Sequence, residues 1–166
     1  MELIYDSAFR ECEELVSFSL ADDNRAKLGK RAFESCKKLR SVRIGSGATE
    51  IGTEAFSGCS ELCEVYLPNT LTSLGSSAFH GCREGLKILF DGTAPEWVKL
   101  AMPKEVTATS TVLGAYDRYP YYYDNGTTEY RTYNYTSYFD SGIDRIEVFC
   151  EKDGRTLVYG ESMRKA

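Results

Sequence analysis

Apolar residues recur along the first hundred positions in two interleaved patterns. In the first, an aliphatic residue stands four places before an Ala-Phe pair, and a cysteine follows three places after the Phe. The copies are Ile4…Ala8-Phe9…Cys12, Leu28…Ala32-Phe33…Cys36, Ile51…Ala55-Phe56…Cys59 and Leu74…Ala78-Phe79…Cys82, at steps of 24, 23 and 23 residues. The second pattern, apolar-x-x-apolar-x-apolar, follows each cysteine. It reads Leu15, Phe18, Leu20; then Leu39, Val42, Ile44; then Leu62, Val65, Leu67. The fourth copy has Gly85 at the first place with Leu86 beside it, then Ile88 and Phe90. The last two positions of each set alternate with polar residues, which predicts a strand with one buried face. The Ala-Phe-x-x-Cys stretch is too short for an independent helix and predicts a single helical turn or a tight bend. Each repeat is therefore expected to hold one strand, a turn rich in Gly, Asn, Ser or Pro, and a compact return. A fixed period of this length signals a solenoid, whose units bury their apolar side only by stacking on one another.

The stretch I-G-T-E-A-F-S-G-C-S-E-L-C-E-V-Y-L-P, residues 51 to 68, resembles the repeat of the BspA-type leucine-rich repeats of bacterial surface proteins and some protozoan ones. The likeness covers roughly residues 3 to 102. It implies a strand-rich α/β fold, a right-handed leucine-rich-repeat solenoid of four copies, used for adhesion or ligand binding and carrying no catalytic residues. A β-helix is the structural alternative. One departure is visible: the Asn/Cys position after the strand in ordinary leucine-rich repeats falls on Asp23, Gly47 and Thr70.

Six cysteines raise disulfide and metal readings. Four of them occupy one equivalent place per repeat, so they form a ladder at steps of about 4.7–4.9 Å. Side chains in a ladder point in parallel, whereas a disulfide needs converging Cβ vectors and zinc needs ligands converging on one point. Buried thiols acting as small hydrophobes are expected. Cys63 and Cys150 could pair only if the C-terminal part folds back onto the solenoid. Phe9, Phe33, Phe56 and Phe79 are read as a core spine. Asp91-Gly-Thr-Ala-Pro-Glu-Trp97-Val-Lys-Leu100 breaks the period and holds the single Trp. Pro95 suits the first turn of a short helix, and Trp97 with Leu100 predicts a closing cap around 91–102. An exposed binding Trp is the alternative.

From Pro103 the composition changes. Nine of the twelve tyrosines lie between Tyr116 and Tyr138. Asn125-Gly126 and Asp153-Gly154 are hairpin signals, predicting a small antiparallel β unit over 103–166 beside a solenoid over 1–102. Tyrosines on such strands either pack a core made largely of aromatics or form a platform for sugars or a protein partner. Asn125 and Asn134 match the glycosylation sequon.

The formal net charge is −5, with no basic block, so electrostatically driven nucleic-acid binding is not expected. No apolar run approaches the ~20 residues needed to span a bilayer. The start does not read as a signal peptide, so a fragment of a longer cell-surface or secreted protein is expected. No cofactor or metal is expected, and no enzyme. His80, the single histidine, reads as a surface spacer, and paired acids in the tyrosine-rich unit, for instance Asp117 with Asp124, are what an enzymatic reading would use.

A binding scaffold predicts its own contact residues. The outward positions of the strands form two columns, Ser17, Ser41, Glu64 and Lys87 in one, and Ser19, Arg43, Tyr66 and Leu89 in the other. Arg43 and Tyr66 are residue types favoured as interface anchors. The expected partner is a protein ligand, such as host extracellular matrix, or a glycan. A carbohydrate-binding role for Tyr121–Tyr123 and a purely structural spacer are the alternatives.

Overall fold

Four coils stack through two parallel sheets rather than one. The structure, a computed structural model, describes residues 2–22, 25–75, 77–101, 118–122, 128–132 and 145–160. The predicted strands are β2 (Ser17–Ser19), β4 (Ser41–Arg43), β6 (Glu64–Pro68) and β8 (Leu86–Asp91). They pair in parallel with Val42 opposite Phe18 and Val65, and Val65 opposite Ile88. A second sheet, unforeseen from the sequence, forms at the aliphatic position before each return. Its strands β1 (Glu2–Ile4), β3 (Ala26–Leu28), β5 (Glu50–Ile51) and β7 (Ser73–Leu74) lie in that order, also parallel. Two or three residues are too few to show an alternation of period two, which is why one strand per repeat was expected.

The return segment is a tight bend, not a helical turn. Its backbone enters the left-handed region twice per coil: at Ser7 and Glu11, Arg31 and Ser35, Glu54 and Gly58, Ser77 and Gly81. Main-chain bonds then run between coils, Phe9 N–H to Ala32 O at 2.7 Å, Phe33 to Ala55 at 2.8 Å and Phe56 to Ala78 at 2.8 Å. Each coil thus satisfies its neighbour's polar backbone, which offsets the strain of non-glycine residues at positive φ. Gly52 and Gly75 are required by a different constraint. A Cβ there would sit 2.6 Å from the Gly29 carbonyl carbon and 2.2 Å from the Thr53 nitrogen, both in the preceding coil. Tyr5 stands at this place in the first coil, which lies at the end of the stack, and is 71% exposed.

Between the sheets lies the core. Phe33, Phe56 and Phe79 are fully buried and stacked, with centroids 5.2 and 5.7 Å apart. Phe9 extends the stack 5.0 Å beyond Phe33. All six cysteines are free thiols. The ladder thiols do more than fill space: Cys36, Cys59 and Cys82 donate to the carbonyls of Phe9, Phe33 and Phe56 at 3.0, 3.1 and 3.2 Å. Cys63 donates to Arg40 O instead, at 3.1 Å.

The far end is closed by two elements. Helix α1 (Ala94–Ala101) starts at a capping box, in which Thr93 N–H donates to Glu96 Oε2 at 2.7 Å and Glu96 N–H to Thr93 Oγ1 at 3.4 Å. Its Trp97 is fully buried and meets Phe90 edge-on at 5.4 Å, so it is a cap and not an exposed aromatic. Strands β9 (Arg118–Tyr122) and β10 (Thr128–Thr132) form an antiparallel pair, as the Asn125-Gly126 signal predicted. Strands β11 (Arg145–Cys150) and β12 (Arg155–Gly160) form the second predicted hairpin, around Asp153-Gly154. That hairpin does not stand apart from the repeats. β11 pairs in parallel with β8 and extends the outer sheet to the order β12-β11-β8-β6-β4-β2. Asp153 Oδ2 accepts from Ala94 N–H at 2.9 Å, tying the hairpin turn to the helix start.

Candidate binding face

Alternation along each outer strand decides which side chains leave the core. Val42, Val65, Ile88 and Val148 are fully buried, so the residues flanking them face outward. The pairing registers align the first predicted column as Ser17, Ser41, Glu64, Lys87 and the second as Ser19, Arg43, Tyr66, Leu89. All eight therefore stand in two rows on one face. Ser17, Ser19, Arg43 and Lys87 are exposed, and Ser41, Glu64, Tyr66 and Leu89 are half-buried. Through the β8–β11 register the rows gain Glu147 and Phe149, which sequence reasoning missed. Phe149 is one of the few large apolar side chains left exposed, at 38%. The signal was present in Ile146-x-Val148-x-Cys150, which repeats the strand alternation, but no Ala-Phe-x-x-Cys return marks it as part of the array.

Arg43 and Tyr66 hold each other in place. The guanidinium carbon lies 5.9 Å from the Tyr66 ring centroid, within cation–π range. Arg43 also pairs with Asp22 at 3.4 Å, across exposed surface. The Tyr66 hydroxyl donates to Glu64 Oε1 at 2.9 Å, and that hydrogen bond holds the phenol above its ordinary pKa. The row accordingly runs from polar at Ser19, through a cation over an aromatic, to apolar at Leu89 and Phe149.

Four of the thiols lie in the core and not on this face. Burial pushes the Cys59 thiol up to about 12, and likewise that of Cys150, the latter beside Asp153 and Glu96. Burial also raises Cys36 and Cys82. Thiols so raised are not nucleophiles near neutral pH. Cys150 lies in register with Phe90 and hence with Leu67, at the opposite end of the strands from Cys63. Folding back of the chain therefore does not bring those two together. His80 is exposed on the return. Among the described residues no group of three or more His, Cys, Asp or Glu could hold a metal ion, and no helix is long and apolar enough to cross a membrane. Asp117, Tyr123, Asp124, Asn125 and Asn134 lie outside the described residues. The tyrosine platform expected of Tyr121–Tyr123 rests on side chains outside them as well.

Comparison with known proteins bears on the repeats. The family model described as BspA type leucine rich repeat region (6 copies) matches residues 1–94. Among solved structures, a leucine-rich repeat protein from Bacteroides ovatus ATCC 8483 aligns at 33% identity with a TM-score of 0.44. The alignment covers 52% of this chain and 24% of that one, so the chain spans about a quarter of that protein's length. No curated protein matches the chain.

Proposed function

The chain belongs to the BspA-type leucine-rich-repeat family, and from that membership we propose a non-catalytic recognition module that binds a protein ligand through the outer face of its strand sheet. The observation that carries this reading is the row Arg43, Tyr66, Leu89 and Phe149, in register on four adjacent strands. It combines an arginine and aromatics, the types that anchor interfaces, on a backbone fixed by parallel pairing. A rigid platform loses little conformational entropy on binding. The module works as part of a cell-surface or secreted protein that adheres to host matrix or to another protein surface.

A panel of extracellular-matrix proteins and a glycan array, screened against the full chain, tests the assignment. Truncation after the helix is unsuitable, because it would remove β11 and the Phe149 position. Binding to a protein that weakens at least tenfold in the Arg43→Ala/Tyr66→Ala double variant, with the melting temperature retained, is expected. Binding that ignores this variant, or glycan binding lost on Tyr121→Ala/Tyr122→Ala, would overturn the strand-face site.

A further inference from the structure

At β8 and β11 the outer face continues one step beyond the row of Leu89 and Phe149. Buried and outward residues alternate strictly along β8, so Lys87, Leu89 and Asp91 leave the core on one side. Glu147 and Phe149 match the first two in register on β11. The Glu151 N–H donates to Phe90 O at 2.9 Å, which carries the parallel pairing one residue further and sets Glu151 beside Asp91. The Tyr66 phenol, raised first by its hydrogen bond to Glu64, is raised further by Glu151, so that carboxylate acts on the same face. Three pairs thus follow one another at steps of about 6.6 Å, two residues of strand. Lys87 stands with Glu147, Leu89 with Phe149, and Asp91 with Glu151.

Charge says what fits there. Asp91 and Glu151 are both exposed, and like charges on adjacent strands repel. Elsewhere a carboxylate is met by a cation of the neighbouring coil, Glu14 by Lys38, Glu50 by Lys27, Glu54 by Arg31 and Glu61 by Arg40. Among the described residues neither Asp91 nor Glu151 joins an ion pair. Arg43 is offset by Asp22 at 3.4 Å. Lys87 then stands alone against Glu64, Asp91, Glu147 and Glu151, so this half of the face is negative.

Given the outer face as a protein-binding site, we propose that β8 and β11 form a subsite for an extended segment of the ligand that carries an apolar residue and, two positions on, an Arg or Lys. Laid along the strands, such a segment repeats its side chains at the spacing of the pairs beneath it. Its apolar side chain covers Leu89 and Phe149, and its cation reaches Asp91 and Glu151 with a stem that lies on apolar surface. A guanidinium can bond both carboxylates and relieve their repulsion. A small cation would leave the apolar pair uncovered, and an acidic segment would add a third negative charge.

The probe is a fluorescent peptide, Gln-Thr-Phe-Thr-Arg-Thr-Gln, followed by polarisation as the full chain is titrated to about 1 mM. Saturable binding is expected, weakened about tenfold when the peptide's Arg is replaced by Glu. Placing Phe and Arg next to each other should weaken it as much, because neighbours point to opposite faces of an extended chain. The chain variant Asp91→Lys/Glu151→Lys, with its melting temperature retained, should reverse the preference and take the Glu peptide over the Arg one. Absence of binding, equal binding of the adjacent Phe-Arg peptide, equal competition by spermidine, or an unreversed preference would each overturn the subsite. A matrix protein that needs Arg43 and Tyr66 but ignores Asp91→Lys/Glu151→Lys would overturn the subsite and leave the strand face standing. Indifference to both pairs of changes would overturn both.

Discussion

Removing one ring from the phenylalanine stack should cost an amount set by its place in the stack. Phe56 is fully buried, with Phe33 5.2 Å away at 12° and Phe79 5.7 Å away at 5°. Phe56→Ala forfeits a burial term of about 1.5–3 kcal/mol and two ring contacts of about 0.5–1.5 kcal/mol each. The coils on either side are held at hydrogen-bonding distance, so the cavity cannot collapse. The loss should fall at about 3–5 kcal/mol, the usual range for such truncations. Phe9 is half-buried and has one stacked neighbour, Phe33, with Phe18 tilted against it at 5.9 Å. Phe9→Ala leaves an open notch instead of a void, and should cost about 1–2 kcal/mol. Urea unfolding followed by circular dichroism, extrapolated linearly to water, measures both. Equal losses for the two variants would refute the stacking order and the register behind it.

Gly52→Ala should cost about 3 kcal/mol, because its Cβ would meet backbone 2.6 Å away that cannot swing aside. Gly85→Ala, at φ +78° with no atom within 4 Å, should cost only the left-handed strain of about 1–2 kcal/mol; thermal melts of the two compare them directly. Cys59, raised from 9.0 to about 12 by burial, should resist a thiol reagent at pH 8 until the chain unfolds. Below pH 9 both states keep the proton. Between 9 and about 12 only the unfolded chain releases it, so stability should fall across that window by about 1.4 kcal/mol per pH unit from this thiol. In Cys59→Ala that part of the slope should vanish, and an unchanged alkaline slope would count against it.

The outer strands were legible because Val42, Val65 and Ile88 alternate with polar neighbours, which also placed the eight outward residues. The strands of the second sheet were not, since Lys27-Leu28 or Glu50-Ile51 is too short to carry a period. Glu147 and Phe149 escaped for another reason. An alternating Ile146-Val148-Cys150 fits any hairpin strand, and only the pairing with β8 assigns it to the repeats. The thiol–carbonyl bonds of the cysteine ladder depend on where the Phe carbonyls point, which side-chain periodicity does not encode.

The pairing of β11 with β8 also sets an order of events during synthesis. Two strands paired in parallel are separated by everything between Asp91 and Arg145. At about 5–20 residues per second, the ribosome needs roughly 3–12 s to deliver the second strand after the first. Throughout that interval the β8 edge, with Ile88 and Phe90 behind it, has no parallel neighbour on that side. Such an edge is where mispairing starts, so the fourth coil stays open to mispairing for longer than the coils before it, whose next strand follows one repeat later.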